Sequence, residues 1–307
     1  MKQLSPEVLS PVNIIGADIR YVMYKLDDET IVQKYQYKAT LEEIEKEKAA
    51  ATNTLRLGLP TVISFEPVQI GDDYGIVYER MGSGSLGNLI MSHPSRFIDY
   101  VGDFVALEHR MHATHVDKDA FPSAKQTISD LYDEALERGV YTADEVAAVG
   151  RMLAAIPDRD TYLHLSCGPR TTRYVDGELT LTQVVDASYG HPVLDVSSTA
   201  LQTIISAQMT PEDDQVMLTA NTNVTAAIRF WHAFVRQYFG CTTSEDAAEV
   251  DRLMLFAQWL RFASFAVSLE WLPEQSRAGM RALSSERFFP NIDQWISDME
   301  GVWERFE

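Results

Sequence analysis

The chain is poor in cysteine, poor in basic residues and without any long uncharged apolar run, and each shortage excludes something. Two cysteines in 307 residues, Cys167 and Cys241, form no disulfide framework, so a reducing compartment, the cytoplasm, is expected. The opening MKQLSPEVLSPVNII lacks the apolar core and cleavage site of a secretory signal. Lys and Arg number 26 against 45 Asp and Glu, for a net charge of -19. Such a field repels nucleic acid and anionic membranes and suits a small molecule, cationic if charged, or a basic protein partner; it also serves plain solubility. The most membrane-like stretch, LMLFAQWLRFASFAVSLEWL at 253–272, carries Gln258, Arg261 and Glu270. Charge is expensive in lipid, so this segment reads as a buried helix stopped by Pro273. No internal repeat or low-complexity tract is present.

What is present is 46% apolar and 10% aromatic, enough for a packed core. IRYVMYKL, the acidic turn DDET and IVQKYQY predict a hairpin. Thr40 followed by Glu43 is a capping box that opens a helix reaching about Thr54. LPTVISFEPVQI and YGIVYERM, separated by GDD, predict two more strands, for the order β-β-α-β-β. After the small-residue joint SGSLGN at 83–88 the pattern turns helical. Phe97, Val101, Phe104, Val105 and Met111 recur at helical spacing, and Thr142 with Glu145 forms a second capping box. Asp176-Gly177 is a two-residue hairpin turn set among these helices, and Gly240 ends a helix over 222–239. The expected class is therefore α+β: a β-rich lobe over 1–80 with one helix, a joint near 81–88, and a mostly helical lobe over 81–307 with an inserted hairpin.

Two segments carry a family resemblance. YGIVYERMGSGSLGNLI resembles the hinge of the aminoglycoside phosphotransferase and choline kinase branch of protein-kinase-like folds, and YGHPVLDV at 189–196 resembles its G-x-P-x-x-D segment. The resemblance runs from about Ile19 to Val196 and implies a bilobal kinase-like fold. It also implies a phosphoryl-transfer site: a lysine paired with a helix glutamate, a catalytic Asp, and an Asn and Asp that bind magnesium. Carried over position by position, Gln33 stands where that lysine is expected and Glu47 matches the glutamate. Ser166 takes the place of the catalytic Asp and Thr171 that of the Asn. Gln183 is favoured in the metal-Asp position, with Asp186 the alternative register and the surviving carboxylate. Asp195 matches the structural aspartate below the loop. The glycine-poor Gly16-Ala17-Asp18-Ile19-Arg20 replaces the phosphate-covering loop.

The resemblance leaves three expectations open. The first is a kinase-like pseudoenzyme with no intact catalytic set and no metal site, acting through a small-molecule ligand or a protein partner. Losing a general base alone costs about 10²–10⁴ in rate. The second is an active phosphotransferase for an amine-bearing substrate, using ATP and magnesium held by Asp186 and Glu47, with Lys34 reaching the phosphates. Lys34 would need a strand bulge to turn inward. The third is an enzyme that transfers the nucleotide itself. In any nucleotide-binding case the hinge backbone of Glu79 to Met81 would meet the adenine. His109, His112 and His115 have the spacing of a helix-borne metal set but no cysteine to complete it, and Ser166-Cys167-Gly168 lacks the flanks of a nucleophile elbow. Trp231, Trp259 and Trp271 read as core.

Overall fold

The computed structural model describes residues 1–17, 21–81, 84–205, 224–268 and 274–307. Asp18 to Arg20 of the first loop, Ser83 of the joint, the start of the helix predicted from Thr222, and Glu270, Trp271 and Pro273 lie outside the described residues. The chain divides into two compact units, each assembled from separate stretches. One comprises Met1–Arg110, Ser166–Ala187 and Gln202–Phe230; the other comprises Met111–Leu165, Ser188–Leu201 and Trp231–Glu307.

The first unit is built on a six-stranded sheet. Strands β1 (Lys2–Leu4), β2 (Ile14–Ala17), β3 (Tyr21–Lys25), β4 (Thr30–Tyr35), β5 (Ser64–Ile70) and β6 (Asp73–Glu79) lie in the order β1-β5-β6-β4-β3-β2. The four strands expected from sequence are all there. β1 and β2 are additions: β1 pairs parallel with β5, and β2 extends the hairpin at the sheet edge. Alternation along β4 sends Ile31 and Tyr35 into one apolar cluster with Tyr21, Ile44, Val62, Ile76 and Tyr78, and Val32 into another with Val68 and Ile70. Gly75 sits where β6 passes β4 closely: an added Cβ would meet Gln33 O at 2.9 Å and Val32 Cγ2 at 3.0 Å.

Helix α1 (Leu41–Arg56) begins at the Thr40–Glu43 capping box, with both reciprocal hydrogen bonds made. Its buried residues are Ile44, Glu47, Ala51 and Thr54, a single stripe at helical spacing that includes a carboxylate. After α2 (Leu86–Ser92) and α3 (Phe97–His112), this unit also contains β8 (Thr172–Val175) and β9 (Glu178–Leu181). Their turn residues Asp176 and Gly177 both have positive φ, as the two-residue hairpin demands. The hairpin is laced to the segment before β5: Leu181 N–H donates to Pro60 O at 2.8 Å and Val62 N–H to Leu181 O at 3.3 Å.

The second unit pairs β7 (Thr161–Leu163) with β10 (Ser188–Gly190) and surrounds them with helices. Helix α4 (Ala124–Glu137) is capped by Ser123, α5 (Ala143–Ala155) starts at the Thr142–Glu145 box, and α6 (Val193–Ala200) is wholly buried. Helix α7 (Val224–Tyr238), whose start belongs to the first unit, is followed by Gly240 at φ +63°. The membrane-like stretch is not one helix. It breaks at Met254 between α8 (Ser244–Leu253) and α9 (Leu255–Ser268), and α9 buries Phe256, Leu260 and even Arg261. Tyr132 and Tyr141 donate their hydroxyls to the carbonyls of Leu260 and Ala263. Trp231 is core, and Trp259 is half-buried. No helix among the described residues is long and apolar enough to cross a membrane.

Candidate functional site

In the first unit, β4 and α1 bring Gln33 and Glu47 together because Gln33 shares a strand face with Ile31 and Tyr35 while Glu47 sits on the buried stripe of α1. Gln33 Nε2 donates to Glu47 Oε1 at 2.8 Å. Two phenols complete the arrangement: Tyr35 Oη donates to Glu47 Oε2 at 2.6 Å, and Tyr78 Oη to Oε1 at 2.7 Å. All four residues are buried, and Glu47 is 1% exposed. Burial, with the Glu47 charge alongside, pushes both phenols far above their ordinary pKa, so both remain donors at neutral pH. The carboxylate is thus held by three uncharged donors. Lys34 lies on the other face of β4, with Val32. The β3–β4 register runs unbroken through Gln33 and Lys34, and Lys34 Nζ pairs with Asp73 at 3.3 Å. The bulge that would turn Lys34 inward is absent.

In the segment over 163–171, Thr171 turns its hydroxyl back onto the loop while Ser166 reaches outside it. Thr171 Oγ1 donates to the carbonyls of Ser166 at 2.7 Å and Gly168 at 3.3 Å, closing the loop with the hydroxyl. Thr182 N–H and Oγ1 both donate to Thr171 O. Ser166 Oγ donates to Asp186 Oδ2 at 2.5 Å, so these two sequence-selected residues meet. Gln183 takes a left-handed conformation at φ +57°, costly for a residue with a Cβ, and leads into the turn Val184–Asp186 against which α1 packs.

Gln183 and Gln33 also share the wall of a small cavity with Met23, Ile31, Val62, Tyr78, Met81, Arg173 and Thr182. Its volume is about 20 Å³, room for a water molecule or two. Of the hinge residues, Met81 contributes a side chain to this cavity. The Glu79 amide already donates to Ile63 O at 3.0 Å, and the Arg80 amide to Glu29 O at 2.7 Å. Tyr35, Tyr78 and Arg173 were not singled out by sequence. Tyr35 was within reach, two residues beyond Gln33 on the same strand face. Tyr78 and Arg173 arrive by long-range pairing and carried no local signal.

In the second unit, Asp195 is fully buried and accepts from the amides of His164 at 2.8 Å and Leu165 at 2.7 Å. Burial works to raise its pKa, but the hydrogen bond and charge of His112 and the His164 amide outweigh it and hold the carboxyl low. His112 Nε2 lies 3.2 Å from Asp195, and its Nδ1 is 2.6 Å from Tyr238 Oη. His115 falls beyond α3 and pairs with Asp160, while His109 is exposed, so the three histidines do not converge. Among the described residues, no group of three His, Cys, Asp or Glu ligands includes His109, His115 or Asp186.

No protein-family model matches the sequence. No curated protein matches it either. Solved structures do. A choline/ethanolamine kinase family protein from Mesorhizobium loti superimposes with a TM-score of 0.55 at 12% identity, covering 96% of this chain and 94% of that one. The ternary complex of aminoglycoside phosphotransferase APH(2")-IIa with streptomycin and ATP gives 0.54 at 10% identity, covering 91% and 92%. Aminoglycoside phosphotransferase APH(4)-Ia bound to ADP and hygromycin B gives 0.55 at 9% identity, covering 91% and 90%. At these identities the similarity is one of fold, and on it the chain has the α+β, protein-kinase-like fold of the choline kinase and aminoglycoside phosphotransferase proteins.

Proposed function

We propose that this chain is a kinase-like pseudoenzyme, related to the small-molecule phosphotransferases, that acts by binding rather than by moving a phosphoryl group. The observation that carries the reading is the set around Glu47: a buried carboxylate that accepts from Gln33, Tyr35 and Tyr78 beside a cavity of about 20 Å³. A magnesium nucleotide needs a cation against its phosphates, hard anionic oxygens for the metal and room for a purine. Here, among the described residues, Arg173 is the one cation in the cavity wall and no carboxylate lines it; the amides Gln33 and Gln183 stand there instead, Lys34 is paired elsewhere, and Thr171 spends its hydroxyl on its own loop. The residues present do not fit that group. The net charge of -19 favours a cationic small molecule or a basic protein as the bound partner, in the cytoplasm and away from nucleic acid and membranes.

The test is thermal unfolding with ATP, with and without magnesium. A ligand at about 100 times its Kd adds about 2.7 kcal/mol, several degrees in Tm. No magnesium-dependent rise is expected. A rise of that size, requiring magnesium, would overturn the reading.

One contact favours a second reading. Asp186 already grips a hydroxyl, that of Ser166, at 2.5 Å, as an acceptor for a substrate hydroxyl proton would. An active phosphotransferase built on Asp186 and Glu47 predicts ATP turnover that disappears in Asp186→Ala, whereas a pseudoenzyme has no turnover to lose.

A further inference from the structure

A basic cavity of this acidic chain lies in its second unit. A cavity of about 300 Å³ is lined by Lys118, Ser123, Lys125, Gln126, Pro157, Asp158, Arg159, Tyr189 and Gly190. Three of these nine are cations and one is an acid, against 26 bases and 45 acids in the whole chain, so the lining itself reverses the chain's balance, with Asp160 the further acid near Lys118. The first turn of α4 opens here: Ser123 is its N-cap, and the positive end of a 14-residue helix adds to the field. Lys125 is only 21% exposed and meets Asp158 at 2.6 Å, while Lys118 stands over the Tyr189 ring, 5.5 Å from its centroid. Arg159 reaches Phe306 O at 3.4 Å with Nη1. The field is felt by a neighbour: His191, next to Gly190, is held down to a pKa of about 3, first by burial and then by the charges of Arg159, His112 and Lys125.

We infer that this cavity binds a phosphate group, free or carried by a small phosphomonoester, with Lys118, Lys125 and Arg159 as its counter-charges. Three cations and a helix N-terminus in a half-enclosed space match a dianion that accepts several hydrogen bonds. The volume exceeds that of the anion alone and sits at the lower end of small-molecule sites, and Tyr189 and Pro157 give an attached organic group an apolar wall. Asp158 plays a definite part: it holds Lys125 when no anion is present and must release it when one binds.

This inference does not rest on the pseudoenzyme reading, because every residue in it belongs to the second unit. The full chain is titrated with inorganic phosphate and with ribose 5-phosphate, followed by ³¹P line width and calorimetry. Saturable binding is expected for both, and tighter binding of ribose 5-phosphate marks a monoester site where equal affinity marks a free-phosphate site. Lys125→Gln and Arg159→Gln each weaken binding by about tenfold or more. Asp158→Asn strengthens it by about threefold or more, since it removes a competing anion. A gain of affinity is not something a misfolded variant yields. Absence of saturable binding, or a phosphate response unchanged in all three variants, overturns the inference. Any ATP response routed through this cavity is magnesium-independent and grows in Asp158→Asn, which separates it from nucleotide binding in the first unit.

Discussion

Replacing Glu47 tests whether its carboxylate is a structural acceptor or a group held ready for a metal. In Glu47→Ala the three donors that converge on it, Gln33 Nε2, Tyr35 Oη and Tyr78 Oη, lose their acceptor at once. None of their residues is more than 8% exposed, so water does not replace it freely. A buried polar group left unsatisfied costs about 1–3 kcal/mol. Relief of the carboxylate's own desolvation offsets part of the sum, leaving a net loss of about 3–5 kcal/mol. Glu47→Gln keeps the shape and an acceptor oxygen, and the tyrosine hydroxyls can turn to accept from the new amide, so its cost is about 1 kcal/mol. Urea unfolding at pH 7, read from the midpoint at constant slope, measures both. A loss of less than about 1 kcal/mol in Glu47→Ala, or equal losses in the Ala and Gln variants, refutes the structural role. Either result would mean the carboxylate is free to be used elsewhere, as a metal-holding role requires.

Two further outcomes follow from the packing. His191 is fully enclosed, its Nδ1 accepts from Val193 N–H, and its ring meets Trp303 and Phe306 edge-on, so it folds neutral with a pKa of about 3. Because the unfolded chain protonates this histidine first, its contribution is complete above about pH 6.5 and is lost towards pH 3 at up to about 1.4 kcal/mol per pH unit; His191→Phe flattens that slope in unfolding measured across pH. Gly75→Ala forces a methyl group against the backbone carbonyl of Gln33 and the side chain of Val32 and costs about 1–3 kcal/mol by denaturant unfolding, with a neutral result contradicting the close approach of β6 to β4.

Elements with chemistry written into adjacent residues were legible. The capping boxes at Thr40 and Thr142, the Asp176-Gly177 turn and Gly240 each solve a local backbone problem with particular side chains, and the structure uses all of them. Strands β1 and β2 were not legible, since three and four residues show no alternation and β1 is defined by a parallel partner more than sixty residues away. The break at Met254 carries neither glycine nor proline and is set by packing. In the site, the resemblance paired the positions of Gln33 and Glu47 and pointed to Ser166, Thr171, Gln183 and Asp186. It could not show that Glu47 would be enclosed by phenols from two strands, nor that Ser166 would turn to Asp186, because those meetings depend on sheet register and loop closure.

The uncharged company of Glu47 has a mechanical consequence for α1. A helix whose glutamate faces a lysine can swing and trade one ion partner for another, since a long ammonium arm follows or finds fresh water. Phenols from β4 and β6 and a strand amide are short and rooted in the sheet, so rotating α1 takes the acceptor from all three together. The helix has a single seat, and added salt, which loosens a lysine latch, has little purchase on this one.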